Sequence, residues 1–192
     1  MEATKLMCFV CFEALENKVT GCHKNIFRKQ APETDNRECP MFVTWKKNGN
    51  LRGCIGIFKE IPLWDGLQEY AVIAGTQDRR FSPIIKDELP KLDCGISLLH
   101  SFEPGNDVLD WTVGKHGIRL FIDGYSATYL PEVASEQGWT KEEALRSLAR
   151  KAGYPREFGP SEYSKARIER YQSAKLHATW EEYEKAQQES AL

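Results

Sequence analysis

The chain has no long hydrophobic run: no stretch approaches the ~20 apolar residues a membrane-spanning helix needs. Its first residues, Met1-Glu2-Ala3-Thr4-Lys5, do not have the layout of a secretory leader. It has no large excess of charge either. Its 26 Lys+Arg against 28 Asp+Glu leave −2, so the balance gives no reason to expect a nucleic-acid partner. The basic clusters Lys24/Arg28/Lys29, Arg79/Arg80, Arg146/Arg150/Lys151 and Lys165/Arg167/Arg170 are interspersed with acids and read as solvated surface. G-x-G-x-x-G, P-loop, H-E-x-x-H and G-x-S-x-G motifs are all absent. That removes the familiar dinucleotide, NTP, zinc-protease and hydrolase solutions and leaves no cofactor to expect. There is no internal repeat and no low-complexity segment.

What is present describes a globular protein. With 192 residues, 41% of them hydrophobic and 11% aromatic, the chain can build one sizeable core with a small subdomain. Cys8, Cys11, Cys54 and Cys94 sit among apolar residues in predicted helices or strands, which favours free thiols in a reducing compartment over a disulfide framework. Cys8-Phe9-Val10-Cys11 is formally a C-x-x-C, but it lies in an apolar helical run with no second pair. Cys22-His23 and Cys39 lack ligand spacing, so no metal site is expected.

The periodicity predicts a helix from Leu6 to about Val19, then a long loop over 20–40. Asn48-Gly49 joins two β-prone runs as a hairpin. Pro62 opens a helix whose apolar face runs from Leu63 to Ala74. A short helix over Ile84–Leu89 and a strand over Cys94–His100 follow. Further strands are expected at Trp111–Val113, Ile118–Ile122 and, after the Asp123-Gly124 turn, Tyr125–Leu130. Pro131 opens a short helix closed by Gly138. Capping boxes at Thr140-Lys141-Glu142-Glu143 and Thr179-Trp180-Glu181-Glu182 start two more. Ala166–Tyr171 alternates as a strand. Hairpins dominate and helices come irregularly, so the fold class is α+β with a largely antiparallel sheet and flanking helices.

The run Leu51-Arg52-Gly53-Cys54-Ile55-Gly56-Ile57-Phe58 stands out. It is apolar enough for a buried strand, yet holds an arginine, a thiol and two glycines, which weaken a strand unless something approaches its backbone. With Asn48 and Gly49 as turn residues, a regular ladder sets Trp45 opposite Arg52, Val43 opposite Cys54 and Met41 opposite Gly56. Met41, Val43, Trp45, Arg52 and Cys54 then share one face, with a cation–π contact available between Trp45 and Arg52. Phe42, Leu51, Ile55 and Ile57 form the core face. Two readings of Cys54 stand: a small buried hydrophobe, as most free cysteines are, or a reactive or ligand-binding thiol beside the charge of Arg52. A charged residue in an apolar strand must be paired or reach solvent. Gln77-Asp78-Arg79-Arg80-Phe81-Ser82-Pro83 forms a dense charged and aromatic cluster at a helix end.

Leu51-Arg52-Gly53-Cys54-Ile55-Gly56 resembles the signature of the AMMECR-domain family, and the resemblance extends along nearly the whole chain. Phe42-Val43-Thr44 precedes the motif as in that family, and Asp78, Arg80, Phe81 and Pro83 match its Asp-x-Arg-Phe-x-Pro element. His116-Gly117-Ile118, Thr128 to Ala134, Glu136 to Trp139 and Lys151 to Tyr154 are similar to its eukaryotic branch. The resemblance implies a single domain over 1–192, made of two unequal subdomains, and cytosolic or nuclear residence. It implies no settled activity and no agreed catalytic residue. Archaeal members tend to carry an acidic residue at the position of His116, which argues against a catalytic role for it.

Two functions stand on these residues. One is a small-ligand or enzymatic site, with Cys54 as nucleophile or ligand contact, Arg52 as anion anchor beside Gly53 and Gly56, and Asp78 with Arg80 as a second charged pair. His100 would be the base that such a nucleophile needs. The other is a non-catalytic protein-binding module, in which Arg52 makes a structural ion pair with Asp78 or another carboxylate and aromatic residues anchor the interface.

Overall fold

The computed structural model describes residues 1–191. Five helices and six strands occur among them: α1 (Lys5–Thr20), β1 (Glu38–Lys47), β2 (Asn50–Pro62), α2 (Leu63–Thr76), β3 (Leu92–Pro104), β4 (Gly117–Ile122), β5 (Tyr125–Tyr129), α3 (Pro131–Gln137), α4 (Lys141–Lys151), β6 (Ala166–Thr179) and α5 (Trp180–Ser190). The class is the α+β one expected. The strands pair in the order β2-β1-β3-β6-β4-β5, which leaves β2 at an edge. The chain divides into two compact units, residues 1–98 with 174–191 and residues 99–173, and β3 and β6 each belong partly to both.

In the first unit, the core lies on one face of β1 and β3. Met41, Val43 and Trp45 of β1 and Cys94, Ile96 and Leu98 of β3 are buried there with the apolar sides of α1, α2 and α5. Phe12 of α1 centres an aromatic cluster, 5.1 Å from the Trp45 ring and 5.2 Å from the stacked Tyr183 ring of α5. The helix α1 is buried over more than one stripe, and Gly21, at φ 74°, ends it in the left-handed conformation that a side chain disfavours. Glu13 is a buried acid within this apolar helix. Its carboxylate accepts the main-chain N–H groups of Ile26, Phe27 and Arg28, so it organises part of the loop that follows. Pro62 sits just before α2, as its N-cap, rather than in its first turn.

In the second unit, Asp123 and Gly124 turn the β4–β5 hairpin with φ 46° and 82°. Ile118, Leu120 and Ile122 of β4 and Ile168 of β6 pack with Ala144, Leu145, Leu148 and Ala149 of α4. That helix opens on the expected capping box, in which Thr140 accepts from the N–H of Glu143 and the Glu143 carboxylate accepts from the N–H of Thr140. No strand forms at Trp111–Val113, contrary to expectation. Trp111 is buried and its indole donates to the Val108 carbonyl 3.0 Å away, so a folded turn supplies the burial that mimicked a strand pattern.

Candidate functional site: the latched edge of β2

The hairpin turn is where the sequence puts it, with Asn48 and Gly49 at φ 50° and 80°, and Lys47 opposite Asn50. The ladder is not regular. Lys46 pairs with Leu51 and Trp45 with Gly53, so Arg52 is an extra, unmatched residue on β2. This bulge corrects the expected register: Thr44, not Val43, faces Cys54, and Phe42, not Met41, faces Gly56. It also reverses the assignment of the β1 faces. Met41, Val43 and Trp45 are the core side, with Gly53, Ile55 and Ile57 opposite them, whereas Phe42, Thr44, Cys54 and Gly56 lie on the other face. Leu51, expected in the core, is 41% exposed. The Trp45–Arg52 pairing does not occur: the Trp45 indole is buried and donates to the Ala71 carbonyl at 2.9 Å.

Each residue of the motif has an identifiable physical task. Gly53 lies against the end of α2, where a Cβ would run into the Ala74 carbonyl oxygen. A Cβ on Gly56 would meet the Met41 carbonyl and the ring of Phe42, an aromatic laid over a cross-strand glycine. Arg52 is only 12% exposed; its Nε and Nη2 donate to Glu88 at 2.9 and 3.1 Å and its Nη1 to the Ser82 carbonyl at 2.7 Å. Glu88 also accepts from Lys47 and from the Ile85 N–H. Burial pushes the Glu88 carboxyl up, but these hydrogen bonds from Arg52, Lys47 and Ile85 outweigh it and bring the pKa down to about 2.

Asp78 and Arg80 converge on Cys54. The Asp78 carboxylate, 4% exposed, accepts the Cys54 N–H at 3.0 Å and the Arg80 N–H at 3.1 Å. The Arg80 side chain reaches the same carboxylate through Nε at 3.0 Å and Nη2 at 2.7 Å, and its Nη2 also donates to the Cys54 carbonyl. These bonds hold the Asp78 carboxyl far below the usual range; the Arg80 side chain contributes most, burial opposes it, and the two N–H donors add to it. Both main-chain groups of Cys54 thus point away from β1 and are capped by side chains. An unprotected edge strand is a template for unwanted pairing. Segment 77–88 caps this edge at one rung, Asp78 and Arg80 on the main chain of Cys54, and is tied to it a second time through the Arg52 side chain, which bonds Ser82 and Glu88.

The Cys54 thiol is half-buried and accepts a hydrogen bond from the Thr44 hydroxyl at 3.1 Å. Of the two arginines, Arg80 is the one that hydrogen-bonds Cys54, through the Cys54 carbonyl. The structure therefore brings Cys54, Asp78 and Arg80 together and joins Arg52 to Glu88. Glu88, Thr44 and the Ser82 carbonyl complete the arrangement and were not singled out from sequence; the carboxylate expected for Arg52, Asp78 or another, is Glu88, because Asp78 is taken by Arg80 and the Cys54 N–H. His100, in the second unit, has Nδ1 2.8 Å from the Ser101 hydroxyl. His116 is buried and accepts the Thr112 N–H at Nδ1, 2.9 Å away; burial, then Arg170 and Lys115, lower its pKa, as suits a neutral ring closing a turn. All six thiols are free, and no cluster of three or more metal-ligating side chains occurs among the described residues.

Fold and site together define an α+β protein whose edge strand is latched through a thiol-bearing rung. The chain belongs to the AMMECR1 family, whose sequence model matches residues 8–176. It is 41% identical to an uncharacterised protein of Arabidopsis thaliana over 95% of this chain and 88% of that one. It is 40% identical to one of Schizosaccharomyces pombe over 93% and 94%. An uncharacterised protein of the archaeon Methanothermobacter thermautotrophicus is 36% identical over 74% of this chain and 78% of its own. The crystal structure of an uncharacterised protein from Pyrococcus horikoshii superposes with a TM-score of 0.76 at 24% identity, over 92% of this chain and 93% of that one, a likeness of fold.

Proposed function

We propose that the first unit is a non-catalytic protein-binding module, and that the latched segment 77–88 with the start of β2 is its contact surface. The carrying observation is Ile85, a large apolar side chain 59% exposed on a segment pinned at several points. Its own N–H donates to Glu88, the Ile84 N–H donates to the Gly75 carbonyl, and Arg52 holds the Ser82 carbonyl. Exposed Leu51 borders the same Arg52–Glu88 pair. Arg79, Arg80 and Lys86 are exposed in segment 77–88 against Asp87, and Lys46 of β1, opposite Leu51, is exposed beside them. A rigid apolar contact among cations suits an acidic segment of a partner protein that carries an apolar anchor. Gly53, Gly56 and Arg52 are occupied by internal contacts, which supports a binding surface over a reaction centre. Free thiols fit a reducing, cytosolic or nuclear setting, and no helix among the described residues is long and apolar enough to cross a membrane.

The test is a photo-crosslinking amino acid placed at Ile85 or, as control, at exposed Lys185, in cells. The expected result is a discrete protein adduct at Ile85 that is absent at Lys185 and is lost on Arg79→Glu with Arg80→Gln. Equal adducts at both positions, or none, would overturn the reading. One observation favours a second reading, a small-ligand site with Cys54 as contact: the thiol is half-buried beside Arg80, whose side chain is 57% exposed. Under that reading a ligand protects Cys54 from alkylation while adducts at Ile85 stay at control level.

A further inference from the structure

The second unit holds a cavity of its own, of about 480 Å³, lined among others by Phe121, Tyr125, Ser126, Ser164, Lys165 and Arg167. The ladder explains how these residues meet. Phe121 of β4 pairs with Ser126 of β5 and with Arg167 of β6, so three adjacent strands contribute one residue each to a single row. Leu120, Ile122 and Ile168 point into the core, so strand alternation turns Phe121, Ser126 and Arg167 to the opposite face.

The guanidinium of Arg167 lies 3.9 Å from the Phe121 ring centroid, and that of Arg119 lies 4.9 Å from it. A ring at this distance attracts the cation and favours its staying over the ring face. Among the described residues no carboxylate forms an ion pair with either guanidinium, although Glu169 of β6 stands opposite Arg119 on the same face. The one acid of the turn, Asp123, is bonded to Arg156 at 2.9 Å. Lys165 has only a loose contact with Glu162, at 3.5 Å. The cavity wall thus presents the Arg167 guanidinium without an ion-pair partner, a partly available ammonium, and the side chains of Ser126 and Ser164.

That donor set suits the oxygens of a phosphate, which a guanidinium edge meets with two parallel hydrogen bonds. The space is several times what bare phosphate fills and lies within the range of small-molecule sites. We propose that this cavity binds an organic phosphate monoester of nucleotide size, its phosphate held by Arg167 and Lys165. The site shares no residue with the proposed binding surface of the first unit.

The experiment is calorimetric titration of the full chain, at low ionic strength, with AMP and separately with inorganic phosphate. The expected results are saturable one-site binding of AMP, weaker binding of inorganic phosphate, and at least a tenfold loss for AMP on Arg167→Gln. Lys165→Gln should weaken binding further, and Arg80→Gln should leave it unchanged. Ser126→Asp, which sets a carboxylate in the cavity without touching either cation, should abolish it while the thermal midpoint holds. No saturable binding of either probe at about 1 mM, or AMP binding indifferent to Arg167→Gln and Ser126→Asp, would overturn the proposal. Equal affinity for both probes would overturn the organic part of the assignment.

Discussion

Replacing Asp78 by Asn is the most direct test of the latch. The carboxylate accepts four hydrogen bonds, from the Cys54 and Arg80 N–H groups and from Arg80 Nε and Nη2. Asn is nearly isosteric but keeps one acceptor oxygen. If that oxygen stays on the side of the Arg80 N–H and Nε, the new amide NH₂ faces the Cys54 N–H, donor against donor. A buried main-chain N–H left without an acceptor costs about 1–3 kcal/mol. The lost charge on Arg80 adds less than about 1 kcal/mol, because that side chain is 57% exposed and its pairing is screened by water. The expected total is about 2–3 kcal/mol. At about 2–4 °C per kcal/mol for a chain of this size, the thermal midpoint should fall by roughly 5–10 °C.

Scanning calorimetry at neutral pH measures the loss, with Arg80→Gln as comparison. Since Arg80 Nη2 and Nε bond Asp78 from the solvent side, Arg80→Gln should lower stability by less than half as much. The pH dependence supplies an independent check of sign. Asp78 has a depressed pKa in the folded state, so its contribution is fully present above the unfolded carboxyl value of about 4 and is lost as pH falls below it. The gap between wild type and Asp78→Asn should therefore shrink on acidification. A midpoint shift below about 2 °C, or an Arg80→Gln loss equal to that of Asp78→Asn, would refute main-chain capping as the basis of the latch.

Three further outcomes follow from the same geometry. Gly53→Ala drives a Cβ into the Ala74 carbonyl, main chain against main chain, and should cost more than about 2 kcal/mol; Gly95→Ala, whose nearest neighbour would be Thr44 Cβ at 3.7 Å, should change stability by less than about 0.5 kcal/mol in urea titration. The Glu88 carboxyl pKa falls to about 2 on folding, so its contribution, on the order of 3 kcal/mol, holds above about pH 4.5 and fades toward pH 2; Glu88→Gln should abolish that acid-dependent portion of the denaturant midpoint. Iodoacetamide should modify exposed Cys22 and half-buried Cys54 in the native protein and reach Cys8, Cys11, Cys39 and Cys94 only after unfolding, as mass spectrometry of quenched time points would reveal; native labelling of Cys94 would contradict the core described here.

Much of the fold was legible because the signals were local. Asn48-Gly49 and Asp123-Gly124 demand positive φ and found it, and Thr140 and Thr179 each reach the backbone three residues on within one turn of helix. What the sequence did not disclose depended on residues far apart in the chain. The bulge at Arg52 has no local marker. It exists because the guanidinium leaves the ladder to meet Glu88 and Ser82, more than 25 residues away by the numbering, and one skipped position then turns Cys54 away from the core-facing side of β1. The pair of glycines was correctly read as a place of close approach, but sequence alone could not say whether the approaching atoms were foreign or internal. They are the Ala74 carbonyl and the Phe42 ring. Costly residue choices in a strand therefore mark a constraint without naming it. Here three of them, Arg52, Gly53 and Gly56, act on the protein's own packing. The residues with atoms left over for a partner, Arg80, Ile85 and Cys54, lie beside them, held in place by the same contacts.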